Sequence, residues 1–349
     1  MKEHMAAGPK LIALQTAVPP YPVNQTDAAR RAAHLFAGHP EVLRLLSVFD
    51  NTGIDTRYSC VPIDWYSEPH GWKERTNLYL HNSVELLERV ANDCLTEAKL
   101  KPEEIDAIVV ASTTGIATPS LDALVIERMG LRRDIVRLPI FGFGCAGGVL
   151  GLARAADLVR ANPQMRVLFL VVELCALTFR KDDLSKSNIV AAALFGDGAA
   201  GAVLSAQGEG PVLGASGSHT WPNSLDVMGW EIEEDGLKAR FAQSIPSLVA
   251  SDFRGIAHTF LRNNDIALSS VDGFACHPGG AKVLDALEAA LDLPQGALVD
   301  SRETLRDYGN MSASTALFVL HRMRSRGPVG RCLMSALGPG FTAAFLMLE

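Results

Sequence analysis

A spacing pattern that recurs in the two halves of the chain limits its fold more than any other feature. Ile105-Asp106-Ala107-Ile108-Val109-Val110 and Val271-Asp272-Gly273-Phe274-Ala275-Cys276 are short apolar runs with an aspartate at the same place. Asp106 precedes Cys145 by 39 residues (145 − 106), and Asp272 precedes Asn310 by 38 (310 − 272). A further 22 residues lead to the next apolar run, at Val167 in one half (167 − 145) and Cys332 in the other (332 − 310). Each half then closes on a glycine followed by an apolar strand, Gly198 to Leu204 and Gly340 to Leu348. A pattern of this kind reads as a duplicated unit. Strands alternating with helical stretches predict α/β halves with mixed sheets, residues 1–205 and 206–349. A pseudo-two-fold would bring the helix starts at Cys145 and Asn310 together over one pocket.

At the first of these starts an apolar strand, Ile135 to Ile140, runs into Gly144-Cys145. A small-residue helix follows from Cys145 to about Arg160. Unpaired N–H groups at a helix start favour a thiolate, and Gly144, Gly147 and Gly148 leave room for another backbone or a substrate. A free cysteine is more often a buried structural residue, but two other stretches shift that balance. Phe274-Ala275-Cys276-His277-Pro278-Gly279-Gly280 ends a short strand on a histidine, before a helix from Ala281 to Leu291. Asp307-Tyr308-Gly309-Asn310-Met311-Ser312-Ala313-Ser314 sets an asparagine at the start of another small-residue helix. A cysteine nucleophile, a histidine able to pair with it and a neutral amide donor are the groups that acyl transfer through a thioester requires.

The rest of the chain narrows the class. Leu11 to Val18 reads as a strand, and Gln25 to Phe36 and Asn77 to Leu100 as helices. Ser47 to Trp72 has no clear period and reads as an irregular surface segment near a substrate entrance. A net charge of −7 with no Lys/Arg-rich run argues against a nucleic-acid partner. The six cysteines (Cys60, Cys94, Cys145, Cys175, Cys276, Cys332) show no C-x-x-C spacing, so no metal is expected. Met1 to Lys10 lacks an apolar signal core, and the apolar run Val167 to Val172 meets Glu173 too soon to span a bilayer. Reduced thiols and a cytoplasmic location are the expectation.

With these residues in view, the chain resembles the type III polyketide synthases, the chalcone/stilbene synthase family on a thiolase-like fold. The resemblance runs from about Lys10 to the C-terminus. It rests on Gly144-Cys145 before a glycine pair, Leu194-Phe195-Gly196-Asp197-Gly198-Ala199-Ala200, His277-Pro278-Gly279-Gly280, Tyr308-Gly309-Asn310-Met311-Ser312 and Gly338-Pro339-Gly340. It implies duplicated αβαβα layers. It also implies a Cys145 that carries the acyl group, a His277 that maintains the thiolate, and an Asn310 that with His277 stabilises the enolate of decarboxylated malonyl-CoA. Phe195 matches a gatekeeper, and Gly338, Pro339 and Gly340 a loop shaping the cyclisation cavity. Thr113, Thr114, Thr118, Cys175 and Thr178 fall at cavity-lining positions. Arg44 aligns with a residue that binds coenzyme A phosphate, whereas a second basic position falls near Asn51.

The substrates implied are malonyl-CoA and an acyl-CoA starter, with no bound cofactor or metal, in a homodimer. The product would be a pyrone or a resorcinol-type ring. The sequence departs from the plant pattern: Ala146 follows the nucleophile in place of Phe, and a second gatekeeper Phe is replaced near Ala239, with Phe241 two positions on. Glu173 to Phe179 and Met228-Gly229-Trp230 look more like bacterial members. A lost ring at Ala239 predicts room for a medium or long acyl chain. Two rivals are a one-round β-ketoacyl synthase of the fatty-acid initiating kind, and a non-catalytic thiolase-fold partner subunit. The first normally carries His-Gln-Ala-Asn where this chain has His277-Pro278-Gly279-Gly280. Retention of Cys145, His277 and Asn310 in one chain speaks against the second.

Overall fold

The computed structural model describes residues 8–349, so the expectation for the extreme N-terminus falls largely outside the described residues. In the first half the strands are β1 (Lys10–Ala17), β2 (Tyr21–Asn24), β3 (Thr56–Ser59), β4 (Ala107–Ala111), β5 (Val136–Ile140), β6 (Val167–Leu174) and β7 (Asp197–Ser205). The second half supplies β8 (Leu213–Thr220), β9 (Met228–Glu233), β10 (Gly236–Phe241), β11 (Gly273–Cys276), β12 (Cys332–Gly338) and β13 (Thr342–Leu348). Two main sheets result, ordered β1-β7-β6-β4-β5 and β8-β13-β12-β11.

The duplication is visible strand by strand. β4 runs parallel to β6, as β11 does to β12, while β7 and β13 pair antiparallel on both sides. Even the marker aspartates act alike. Asp106 exchanges hydrogen bonds with the backbone of Arg166, the residue before β6. Asp272 does the same with Arg331, the residue before β12. β5 alone lacks a counterpart. The apolar strand expected at Ile135 to Ile140 is an edge strand, with Val136 41% exposed.

Alternation along the strands fixes the layers. On β6, Val167, Phe169 and Val171 face a central core, and Leu168, Leu170 and Val172 face an outer one. The central core holds the helices Gly147–Ala161 and Thr315–Arg326, one from each half, between the sheets. Outside, the helix Trp72–Ala98 covers the first sheet, and the helices Arg254–Asn263 and Ala281–Ala290 cover the second. This is a duplicated αβαβα stack. The central helices are small-residue helices because they must approach closely. A Cβ on Gly148 would lie 2.1 Å from the Ala313 carbonyl oxygen, so the two helix starts interlock backbone to backbone.

Sequence boundaries hold to within a few residues for most elements. The largest difference is at Ser47 to Trp72. This stretch contains β3, paired with β2, and short turns of 3₁₀ helix, while Trp72 opens the long helix.

Candidate active site

Cys145 lies in a single 3₁₀ turn, Gly144–Ala146, between β5 and the central helix. The Gly144 N–H donates to Thr113 Oγ1 at 3.1 Å, which pins the turn to the loop after β4. Across the interface stands the matching turn Ser312–Ser314, two residues after Asn310. Packing and hydrogen bonds join the expected residues. A Cβ built on Gly147 would lie 3.3 Å from Ala313 Cβ, so the Cys145 turn packs against the Ser312–Ser314 turn. The Ser312 N–H donates to Asn310 Oδ1 at 2.8 Å, and Asn310 Nδ2 donates to the Gly279 carbonyl at 3.3 Å. The Gly279 N–H in turn donates to the carbonyl of His277. His277 sits where β11 ends, its own N–H held by Ser335 on β12. The duplication therefore brings Cys145, His277 and Asn310 to one buried place.

The charge states differ from the expected ion pair. Burial pushes the Cys145 thiol up to about 12, helped by the nearby Glu173 and only partly offset by Ser312. Burial pushes the His277 imidazole down to about 3, and neither ring nitrogen has a hydrogen-bond partner among the described residues. At neutral pH the free site thus holds a thiol and a neutral imidazole. Desolvation outweighs the field of the helix start, because Cys145 is only 8% exposed and lies in the 3₁₀ turn ahead of the helix proper.

Glu173, at the end of β6, is the residue that motif reading missed. It is fully buried and accepts the N–H groups of Thr113 and Thr114, each at 3.0 Å, while Ser312 Oγ lies 3.4 Å from its other oxygen. Burial lifts its carboxyl to about 7 despite these donors. The sequence did carry a signal, a lone acid closing an otherwise apolar strand.

The remaining residues separate into groups. Cys175, Thr178 and Phe195 line an apolar cleft of about 80 Å³, together with Phe179, Ala191 and the β3 residues Arg57 to Ser59. Phe195 is locked beside Asn310, since Asn310 N–H donates to Leu194 O and Gly196 N–H to Asn310 O. Thr113 and Thr114 are absent from that lining. Their hydroxyls accept backbone N–H groups of Gly144 and Leu174, so they brace the cysteine turn and β6. Thr118 is exposed on the following loop, before Pro119, and is not brought to the cleft.

Ala239 does not leave a void. Trp230, its cross-strand partner, and Phe241 pack on Phe195 with ring centroids 6.0 Å and 5.5 Å away. Ala239 is 6% exposed, buried in the cluster those rings form with Phe195 and Cys175. The open 80 Å³ is also well below the ~150 Å³ of a cavity that admits benzene, so a long acyl chain enters only if side chains move. Gly338 packs on the Cys145 turn, Pro339 abuts Gly144, and Gly340 takes a φ of +71° in the β12–β13 turn. Arg44 is exposed, with no carboxylate within ion-pair distance among the described residues. Asn51 is tied to the Ser47 carbonyl.

Comparison with known proteins identifies the family. The family model for the N-terminal domain of chalcone and stilbene synthases matches residues 2–208, and that for the C-terminal domain residues 213–349. A putative chalcone synthase of Bacillus subtilis is 34% identical over 357 residues, covering 97% of this chain and 98% of the relative. A 1,3,6,8-tetrahydroxynaphthalene synthase of Streptomyces peucetius is 36% identical over 353 residues, covering 98% and 93%. The crystal structure of the 1,3,6,8-tetrahydroxynaphthalene synthase of Streptomyces coelicolor, a bacterial type III polyketide synthase, superposes with a TM-score of 0.93. That match is at 28% identity and covers 97% of this chain and 98% of the other. Matched from end to end in sequence and in fold, the chain belongs to the chalcone and stilbene synthase family of type III polyketide synthases.

Proposed function

We propose that the chain elongates an acyl-CoA starter with malonyl-CoA on Cys145 and releases a cyclised pyrone or phenolic product. The single observation that carries this is the packing of the Cys145 turn against Ser312–Ser314, which hydrogen bonds tie through Asn310 to the His277 segment, so that both halves build the site. In loading, the Cys145 sulfur attacks the starter thioester and its proton passes to a His277 ring nitrogen. The C–S bond to coenzyme A breaks, and the departing thiolate takes the proton back. Malonyl-CoA then loses CO₂, and its enolate oxygen is held by His277 and Asn310 as donors in a water-poor site. The enolate carbon forms a bond to the acyl carbonyl, and Cys145 leaves as thiolate and is reprotonated.

Supporting features extend the reading. Phe195 beside Asn310 separates the reaction centre from the apolar cleft, which would take the first few carbons of a starter or growing chain. Exposed Arg44 would meet the coenzyme A phosphates. A homodimer fits the edge strand β5 and the exposed Phe141 (62%) and Phe143 (40%) next to the cysteine turn. No helix among the described residues is long and apolar enough to cross a membrane. Six unpaired cysteines fit a reducing, cytoplasmic setting.

The decisive experiment is mass spectrometry of products from a panel of acyl-CoA starters with malonyl-CoA, with peptide mapping of the trapped acyl-enzyme. The expected result is cyclised products and label on Cys145, with both lost in Cys145→Ala. A single condensation without cyclisation would favour a one-round β-ketoacyl synthase. Label confined to Cys60, Cys94 or Cys175 would overturn the nucleophile assignment.

A further inference from the structure

The ribbon β9–β10 forms a sheet of its own and hydrogen-bonds to neither main sheet. An isolated two-stranded ribbon is marginally stable, so side chains must hold it. Its cross-strand ion pairs, Lys238 with Glu231 and Glu233 and Arg240 with Glu231, are partly exposed and screened by solvent, so they contribute modestly. Yet the ribbon carries Trp230, Ala239 and Phe241, which pack against Phe195 and Cys175. A polar anchor adds to this apolar packing.

That anchor lies at the ribbon tip. Arg180 Nε donates to Asp235 Oδ2 at 3.0 Å, and a second guanidinium nitrogen lies in ion-pair contact with the other carboxylate oxygen. Trp72 Nε1 adds a bond to the Glu233 carbonyl at 2.7 Å. The Arg180 end is rigid. Its N–H and carbonyl are both held by the side chain of Asn188, which is 3% exposed, and it follows the cleft residue Thr178 by two positions. The Arg180 side chain is itself only 18% exposed. Trp230 lies three residues from Glu233 on the same strand, roughly 10 Å along it. One strand thus joins the tip to the rings on Phe195.

We propose that the Arg180–Asp235 pair is a positioning latch, which seats the β9–β10 ribbon on Phe195 and so sets the length of acyl group the enzyme accepts. The proposal rests on the polyketide synthase reading above. Asp235→Asn keeps the shape and removes the charge; Arg180→Asp with Asp235→Arg restores the pair in reverse. Two measurements on the full-length protein test it: backbone amide exchange over residues 228–241, and the ratio of kcat/KM for a long-chain to a short-chain acyl-CoA.

In Asp235→Asn, exchange should accelerate about 10-fold in that segment alone, and the starter ratio should change by about 5-fold. The reversed pair should bring both back toward the wild-type values, which a merely structural role for either residue would not do. Unchanged exchange, or a loosened ribbon with an unchanged starter ratio, overturns the latch. Wild-type enzyme that condenses no acyl-CoA with malonyl-CoA overturns the polyketide reading instead. The exchange experiment then decides alone whether the pair holds the ribbon.

Discussion

Gly338 offers the sharpest test of how the second half supports the nucleophile turn of the first. It ends β12 where the strand passes under the Cys145 turn. A Cβ built there would lie 2.3 Å from the Phe143 carbonyl oxygen, 2.7 Å from Ala146 Cβ and 2.9 Å from Ala146 N. An ordinary carbon–oxygen contact needs ~3.3 Å, so Gly338→Ala must push strand and turn apart by about 1 Å. Overpacking of this kind costs about 1–3 kcal/mol, which lowers the melting temperature by roughly 2–5 °C. The kinetic effect should be larger, because a displacement of ~1 Å at a reacting group can cost ~10²-fold in rate.

Gly340→Ala is the control. Its φ of +71° makes a side chain there cost about 1–2 kcal/mol, but a Cβ meets only Thr342 Oγ1, at 3.9 Å. It should lose stability and keep its rate. The assay is burst-phase acylation of Cys145 followed by intact-protein mass spectrometry, alongside thermal unfolding. If Gly338→Ala acylated at the wild-type rate with an unchanged melting temperature, the Cys145 turn would be free to move, and the argument that β12 fixes it would fail.

Three further outcomes are expected. Asn310→Ala should suppress malonyl-CoA decarboxylation by ~10²–10³-fold while leaving acyl loading of Cys145 largely intact; decarboxylation at the native rate would make Asn310 structural only. Glu173 has its folded-state carboxyl raised to about 7, so between pH 4.5 and 7 the folded form retains a proton that the unfolded form has lost. Wild type should therefore lose up to about 3 kcal/mol relative to Glu173→Gln as pH rises through that window, read from denaturant midpoints; parallel pH profiles would refute it. Finally, iodoacetamide alkylation of Cys145 in the free enzyme should keep rising above pH 8, since the thiol stands near 12; a plateau reached below pH 6 would show a preformed thiolate–imidazolium pair.

Two kinds of information in the sequence reached the structure by different routes. Spacing was enough for the architecture, because it records how many residues separate one strand from the next. The aspartates at 106 and 272 marked equivalent backbone corners, and the equal gaps after Cys145 and Asn310 placed two helices at one interface. Proximity of Cys145 and Asn310 follows from that symmetry, and His277 joins them through the Gly279 carbonyl that accepts from Asn310. Pocket walls do not, since they depend on which side chain turns where. Thr113 and Thr114 look like cavity residues at their positions along the chain, yet backbone N–H groups of Gly144 and Leu174 claim their hydroxyls. Ala239 looks like missing bulk, yet it is buried beside its cross-strand neighbour Trp230, a pairing that only the ribbon register reveals.

Proton position is the furthest from sequence. A cysteine at a helix start beside a histidine suggests an ion pair, but that inference weighs the local field and ignores the solvent lost by both groups. Once both are buried, desolvation acts on them in opposite directions and favours the neutral forms of each. Nucleophile formation must then be coupled to substrate docking. The thiol gives up its proton as the thioester carbonyl arrives and the developing charge passes onward to coenzyme A. The free enzyme favours the thiol form; loading converts it to the thioester, and condensation then releases Cys145 as the thiolate.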